Sequence, residues 1–124
     1  NNRAAATGLN VGHKVNGALT VGENIGDLGG LTLGYSAYRI SLGHQPAPEI
    51  DGRTGEQRFF LGWAQVWRGL SRRAEAERLL ALDPHSPMDL RANAARNLTE
   101  FHEAFGVAEG DGMWVAPEDR VRIF

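Results

Sequence analysis

Seven glycines fall inside two stretches whose apolar spacing otherwise spells helix. Gly22, Gly26, Gly29, Gly30 and Gly34 lie in the first, Gly62 and Gly69 in the second. Each costs about 1 kcal/mol relative to alanine in a helix interior, so together they approach about 7 kcal/mol. That is comparable to the whole stability of a small domain. A chain keeps such residues where a missing side chain lets another backbone come close. The first helix is therefore expected to be deeply enclosed, by more protein than 124 residues supply.

The spacing of Ile25, Leu28, Thr32, Tyr35, Tyr38 and Leu42 predicts that helix over 20–42, opened by a capping box in Thr20-Val21-Gly22-Glu23. Residues 1–19 read as an irregular lead-in, and His44 to Gly55, with Pro46, Pro48 and Asp51-Gly52, as a loop. A second capping box, Thr54-x-x-Gln57, opens a helix over 54–70 whose stripe is Phe59, Trp63, Val66, Trp67 and Leu70. Arg72 to Leu82 either extends it or forms a short separate helix. Ser86 then reads as an N-cap with Pro87 at the first helical position, for a helix over 87–95. A last helix over 98–105 ends at Gly106, and the tail carries apolar anchors at Met113, Trp114, Val121, Ile123 and Phe124. No alternating segment predicts a strand. The expected fold class is all-α, in one domain.

Hydrophobic residues make up 42%, enough for a core. Thirteen Lys and Arg against fifteen Asp and Glu leave a net charge of −2, without the basic footprint of a nucleic-acid binder. No apolar run approaches the length of a membrane span. The absence of cysteine excludes a disulfide scaffold and thiolate metal sites, and fits a reducing compartment.

Glu23 and Asp27, four apart, share one helix face. Two carboxylates so spaced suit a metal ligand and a group that orients a histidine ligand. They equally suit a helix cap and a solvated acid. Among small apolar neighbours an unpaired carboxylate is costly, which favours a partner. His85, between Pro84 and Pro87, is held by rigid flanks, which suits stabilising developing negative charge; a structural or exposed histidine fits the same position. Arg91 can clamp a carbonyl or carboxylate, or pair with Asp89 or Glu100. The aromatic stripe reads as core. His13, His44 and His102 show no i,i+4 pairing, and His-Glu-x-x-His is absent.

The run from Val15 to Gly30, Val-Asn-Gly-Ala-Leu-Thr-Val-Gly-Glu-Asn-Ile-Gly-Asp-Leu-Gly-Gly, resembles a signature of the neprilysin-like zinc metallopeptidases. There it reads Val-Asn-Gly-x-Leu-Thr-x-Gly-Glu-Asn-Ile-Ala-Asp-x-Gly-Gly. Phe59-Phe60 with Ala64-Gln65-Val66-Trp67, then Asp83-Pro84-His85-Ser86-Pro87 and Arg91, follow in the family's order, and Arg120 to Phe124 is similar to its chain end. The resemblance implies that Glu23 is the third protein ligand of a catalytic Zn2+. It implies that Asp27 hydrogen-bonds a zinc-ligating histidine and that His85 stabilises the transition state of peptide hydrolysis. Arg91 would contact the substrate backbone, and Val66 and Trp67 would line the pocket for the residue after the scissile bond. The implied fold is the C-terminal helical part of a thermolysin-like catalytic domain, and the implied substrates are oligopeptides.

Departures qualify this. Gly26 replaces the usual alanine, and Phe124 the terminal tryptophan. The missing cysteines point to a bacterial or otherwise intracellular member, with the cytoplasm favoured. His-Glu-x-x-His and a substrate-binding Asn-Ala segment, which belong upstream in that family, are absent. The chain is thus expected to be the C-terminal portion of the catalytic domain, with the missing N-terminal part of the same chain as its partner. Alone it should be inactive, without tightly bound zinc, and should self-associate through apolar surface around Trp63 and Trp67. The competing reading from another class is a non-catalytic helical peptide-binding or interaction module on the same scaffold.

Overall fold

The computed structural model describes residues 14–43 and 45–124. Residues 1–13 of the lead-in, with His13, and also His44, lie outside the described residues. Helix α1 spans Gly17–Ser41, α2 Gly55–Val66, α3 Arg73–Leu82, α4 Met88–Ala92 and α5 Thr99–Phe105, with 3-10 turns at Asn93–Asn97 and Pro117–Asp119. The fold is all-α, with no strand among the described residues.

The helix starts show where local sequence signals compete. At α2 the box forms: Thr54 Oγ1 accepts from the Gln57 N–H, and Gln57 Oε1 accepts from the Thr54 N–H. Helix α1 begins earlier than Thr20, because the Asn16 carboxamide accepts from the Ala18 and Leu19 N–H groups. Thr20 is one turn inside and buried, its hydroxyl donating to the Asn16 carbonyl, so the expected Thr20–Glu23 box does not form. Pro87, not Ser86, stands at the N-cap of α4, without a side-chain cap bond. That helix is one short turn, continued by the 3-10 turn, rather than one helix over 87–95.

Helices α2 and α3 are separate. Trp67 caps α2, and the chain runs without regular structure to Arg72. Gly69 therefore lies in a break rather than a helix, where a Cβ would sit 2.6 Å from Met88 Sδ and require that flexible side chain to move. Because α2 ends at Val66, the expected stripe does not run on. Val66 is 70% exposed and Leu70 is fully exposed, while Phe60, outside that stripe, is buried.

The core is Leu28 and Leu31 of α1, Phe60 of α2, Ala95 and Leu98, with Tyr35, Phe59, Trp63, Phe101, Phe105 and Ile123 packed against it. Gln57 Nε2 donates to the Ala104 carbonyl, and Trp63 Nε1 to the Ala92 carbonyl, tying α2 to both α5 and α4. The tail is fastened by Arg120 Nη1 donating to Thr99 Oγ1 and by the Val121 N–H donating to Asn97 Oδ1.

Only part of the glycine expectation holds. Gly29 packs on Phe124 and Ile123, and Gly34 on Phe59, but Cβ atoms at Gly22, Gly26 and Gly30 would meet nothing within 4 Å. These residues sit on an open face of α1 that also exposes Val21, Ile25, Leu33 and Ile40. Apolar surface is exposed both here and beside Trp67, at Val66, Leu70 and Met88, while Trp63 and Trp67 are themselves partly buried.

Candidate active-site face

The segment from Asp83 to Arg91 crosses the N-terminal half of α1 and brings four of the sequence-predicted site residues together in two pairs. Glu23 Oε2 lies 3.2 Å from His85 Nε2, both about half exposed. Asp27 and Arg91, nearly buried, form a bidentate ion pair, with Oδ2 to Nε and Oδ1 to Nη2 both at 2.7 Å. The i,i+4 spacing on α1 sets the separation of the carboxylates, and α4 delivers Arg91 to the second of them. Arg91 thus pairs with neither Asp89 nor Glu100. Its hydrogen bonds to Asp27 push the guanidinium above its ordinary basicity against the opposing effect of burial, so it stays charged.

Trp67 supports that guanidinium from below. Arg91 Cζ lies 3.8 Å from the centre of the indole, a cation–π contact. Trp63 packs edge-on against Trp67, their ring centres 5.2 Å apart. The break after α2 therefore has a geometric consequence: it turns Trp67 out of the helix and under Arg91. Val66 stays exposed and outside these pairs.

Asp83 is a residue that motif spacing alone did not single out. Its Oδ1 accepts from the His85 N–H at 2.8 Å and lies 2.6 Å from His85 Nδ1. These contacts, the backbone bond foremost, hold the Asp83 carboxyl below its ordinary value. An aspartate two residues before a histidine with one intervening proline is a local turn signal, and it was legible in Asp83-Pro84-His85. With Nδ1 facing Asp83 and Nε2 facing Glu23, the imidazole is fixed at both nitrogens.

Two clefts meet at this segment. One, of about 490 Å3, is bordered by Trp67, Leu79, His85, Met88, Asp89 and Arg91. Trp67 Nε1 and Asp89 Oδ1 are buried there without a partner among the described residues. Buried polar atoms in that condition are rare unless a missing group satisfies them. The other cleft, of about 480 Å3, lies against α1 and is bordered by Asn24, Asp27, Ser86 and Arg91.

As a metal site the face is incomplete in itself. Glu23 presents a solvent-accessible carboxylate, the hard oxygen donor that zinc accepts. The described residues contain no group of three or more His, Cys, Asp or Glu arranged to hold an ion. The fit is thus to one ligand of a set. No helix of the described residues is long and apolar enough to cross a membrane.

The sequence matches Peptidase family M13 over residues 3–121. It is 43% identical over 106 residues to Neprilysin-1 of Caenorhabditis elegans, covering 81% of this chain and 14% of that protein. It is 39% identical over 110 residues to a Neutral endopeptidase of Lactococcus lactis subsp. lactis, covering 88% of this chain and 16% of that one. The structure of Mycobacterium tuberculosis zinc metalloprotease Zmp1 in complex with an inhibitor superposes with a TM-score of 0.91 at 53% identity, over 96% of this chain and 18% of that one. The chain therefore spans less than a fifth of the length of these relatives. A family match across nearly the whole chain, spanning the segments that hold the Glu23–His85 and Asp27–Arg91 pairs, shows that this protein chain belongs to Peptidase family M13.

Proposed function

We propose that this chain forms one wall of the active site of a zinc-dependent endopeptidase that hydrolyses oligopeptides. The observation that carries the reading is the approach of His85 to Glu23 at 3.2 Å, one helical turn from the buried Asp27–Arg91 pair. Family membership supports it, as do the names of the relatives, neprilysin, neutral endopeptidase and zinc metalloprotease.

Glu23 would supply one carboxylate ligand, and the two histidines of an upstream His-Glu-x-x-His, absent from these 124 residues, would complete the three-ligand, open site of a catalytic zinc. Held there, zinc supplies Lewis acidity at the scissile carbonyl and lowers the pKa of water. Asp27 keeps acceptor capacity beyond its two bonds to Arg91, since a carboxylate offers about four lone-pair sites. That capacity orients one of the ligating histidines. His85, anchored at Nδ1 by Asp83, directs Nε2 toward the side where negative charge develops on the substrate oxygen. Arg91 spends Nε and Nη2 on Asp27 and offers Nη1 to a substrate carbonyl. Val66 and Trp67 contact the substrate side chain after the scissile bond. The chain alone, lacking the other ligands, neither holds zinc tightly nor hydrolyses peptides, and it self-associates through the exposed apolar surface around Trp63 and Trp67.

The test is the full-length protein beside its Glu23→Gln variant, with zinc stoichiometry and peptide hydrolysis measured on both. Loss of both in the variant is expected. Equal zinc content and activity would demote Glu23 to a surface residue, and inactivity of both would favour a non-catalytic peptide-binding module. Peptide hydrolysis by the 124-residue chain would refute its inactivity alone.

A further inference from the structure

The Glu23–His85 approach has a neighbour on each strand of the chain. Asn24 follows Glu23, Ser86 follows His85, and Ser86 Oγ donates to Asn24 Oδ1 at 2.7 Å across 62 residues of sequence. Ser86 is 7% exposed, whereas His85 and Glu23 are each about half exposed. Asn24 is oriented from its other end, because its Nδ2 donates to Thr20 Oγ1 at 3.4 Å, and Thr20 in turn donates to the Asn16 carbonyl at 3.2 Å. A chain of hydrogen bonds thus runs from the α1 N-cap residue to the residue beside His85. Its Ser86 end is buried, where a lost bond costs more than at the surface.

We propose that Ser86 and Asn24 are positioning residues, which lock the Asp83–Pro87 segment in register with α1 and so set where His85 Nε2 stands relative to Glu23. The proposal rests on the reading of His85 given above. Geometry leaves few alternatives for the register. Asp83 orients the imidazole within its own segment and makes no bond to α1. The Asp27–Arg91 pair anchors the segment six residues beyond His85, through a long side chain that tolerates small slides. The Ser86 hydroxyl is short, adjacent to His85 and buried, and it explains why this serine does not cap α4. Ser86 and Arg91 border both clefts, so the locked segment also forms the partition between them.

The experiment is a double-mutant cycle in the full-length zinc-loaded protein with Ser86→Ala, Asn24→Ala and His85→Ala. Misplacing an aligned group by about 1 Å can cost up to about a hundredfold, so Ser86→Ala is expected to lower kcat about tenfold while KM and zinc stoichiometry stay within about twofold. Asn24→Ala should match it. In the His85→Ala background, Ser86→Ala should cost nothing further, and a structure of Ser86→Ala should show the His85 ring withdrawn from Glu23 with the Asp27–Arg91 pair intact. Losses that multiply with that of His85→Ala would overturn the proposal, as would an unchanged kcat in Ser86→Ala where His85→Ala is impaired. A fall in zinc content or thermal stability that accounts for the lost activity would also overturn it. Full activity in His85→Ala would refute the role assigned to His85 itself, and with it the proposal.

Discussion

Asp27 and Arg91, 64 residues apart in sequence, meet through two parallel hydrogen bonds of 2.7 Å at a largely buried site. Breaking a buried ion pair by removing one partner strands the other charge, so Arg91→Ala should destabilise the protein by about 3 kcal/mol. Arg91→Lys should restore little of this, because an ammonium can neither bond both carboxylate oxygens in plane nor stack flat on Trp67. Urea denaturation of the two variants would check this; a lysine variant as stable as the parent would show that charge alone suffices.

Trp67 gives the same guanidinium a platform at 3.8 Å. Cation–π contacts are worth about 1 kcal/mol where partly exposed, so a cycle of Trp67→Leu and Arg91→Met should return a coupling of that size. Trp67→Phe, which keeps a ring, should retain part of it. Zero coupling would mean that Trp67 acts through packing on Trp63 alone.

Asp83 sets a pH limit on the His85 segment. Its folded-state carboxyl titrates below the ordinary value of 3.8, held down first by the His85 backbone N–H and then by the ring. A depressed folded value means that the tether is complete above the ordinary carboxylate range and is lost as pH falls through the lowered value. Carbon NMR of the Asp83 carboxyl should therefore show a midpoint under 3.8, and His85→Ala should move it only part of the way back, since the backbone bond remains. A midpoint at the ordinary value would count against the tether.

Short-range signals were legible in the sequence where nothing contested them. Thr54 and Gln57 form their box because both partners lie within one turn. The Asp51-Gly52 turn, with φ of 51° and 69°, closes between Ile50 and Arg53 through two backbone hydrogen bonds. Thr20 and Ser86 carried equally good cap patterns and failed, because their hydroxyls were drawn to Asn16 and Asn24 instead. No spacing rule foresees a hydrogen bond across 62 residues. The same is true of the candidate site. The Glu23–Asp27 face followed from helical period, whereas the pairing of Arg91 with Asp27 joins residues 64 apart and the Trp67 platform lies at the end of α2, where local spacing predicted the helix to run on. Met88, which packs close to Gly69 in the break that follows α2, is 19 residues further along the chain.

The glycines yield one substitution with two opposite outcomes. At Gly26, on the open face of α1, a Cβ would meet nothing within 4 Å. Alanine there relieves the helix cost of glycine, and Gly26→Ala should stabilise the 124-residue chain by about 1 kcal/mol. For a domain of this size that raises the melting temperature by about 4 °C. At Gly55, the first residue of α2, a Cβ would collide with the Tyr38 hydroxyl and lie 2.5 Å from the Ala47 Cβ. The tyrosine tip can swing aside, but the loop carrying Ala47 must shift, so Gly55→Ala should cost about 2 kcal/mol as an overpacked contact. Thermal melts of both variants would test the pair. The same Gly26→Ala change placed in the full-length protein then probes the open face directly. A rise there too would mean that the face remains uncovered, whereas a fall would mean that another backbone lies against it, as its run of glycines implies.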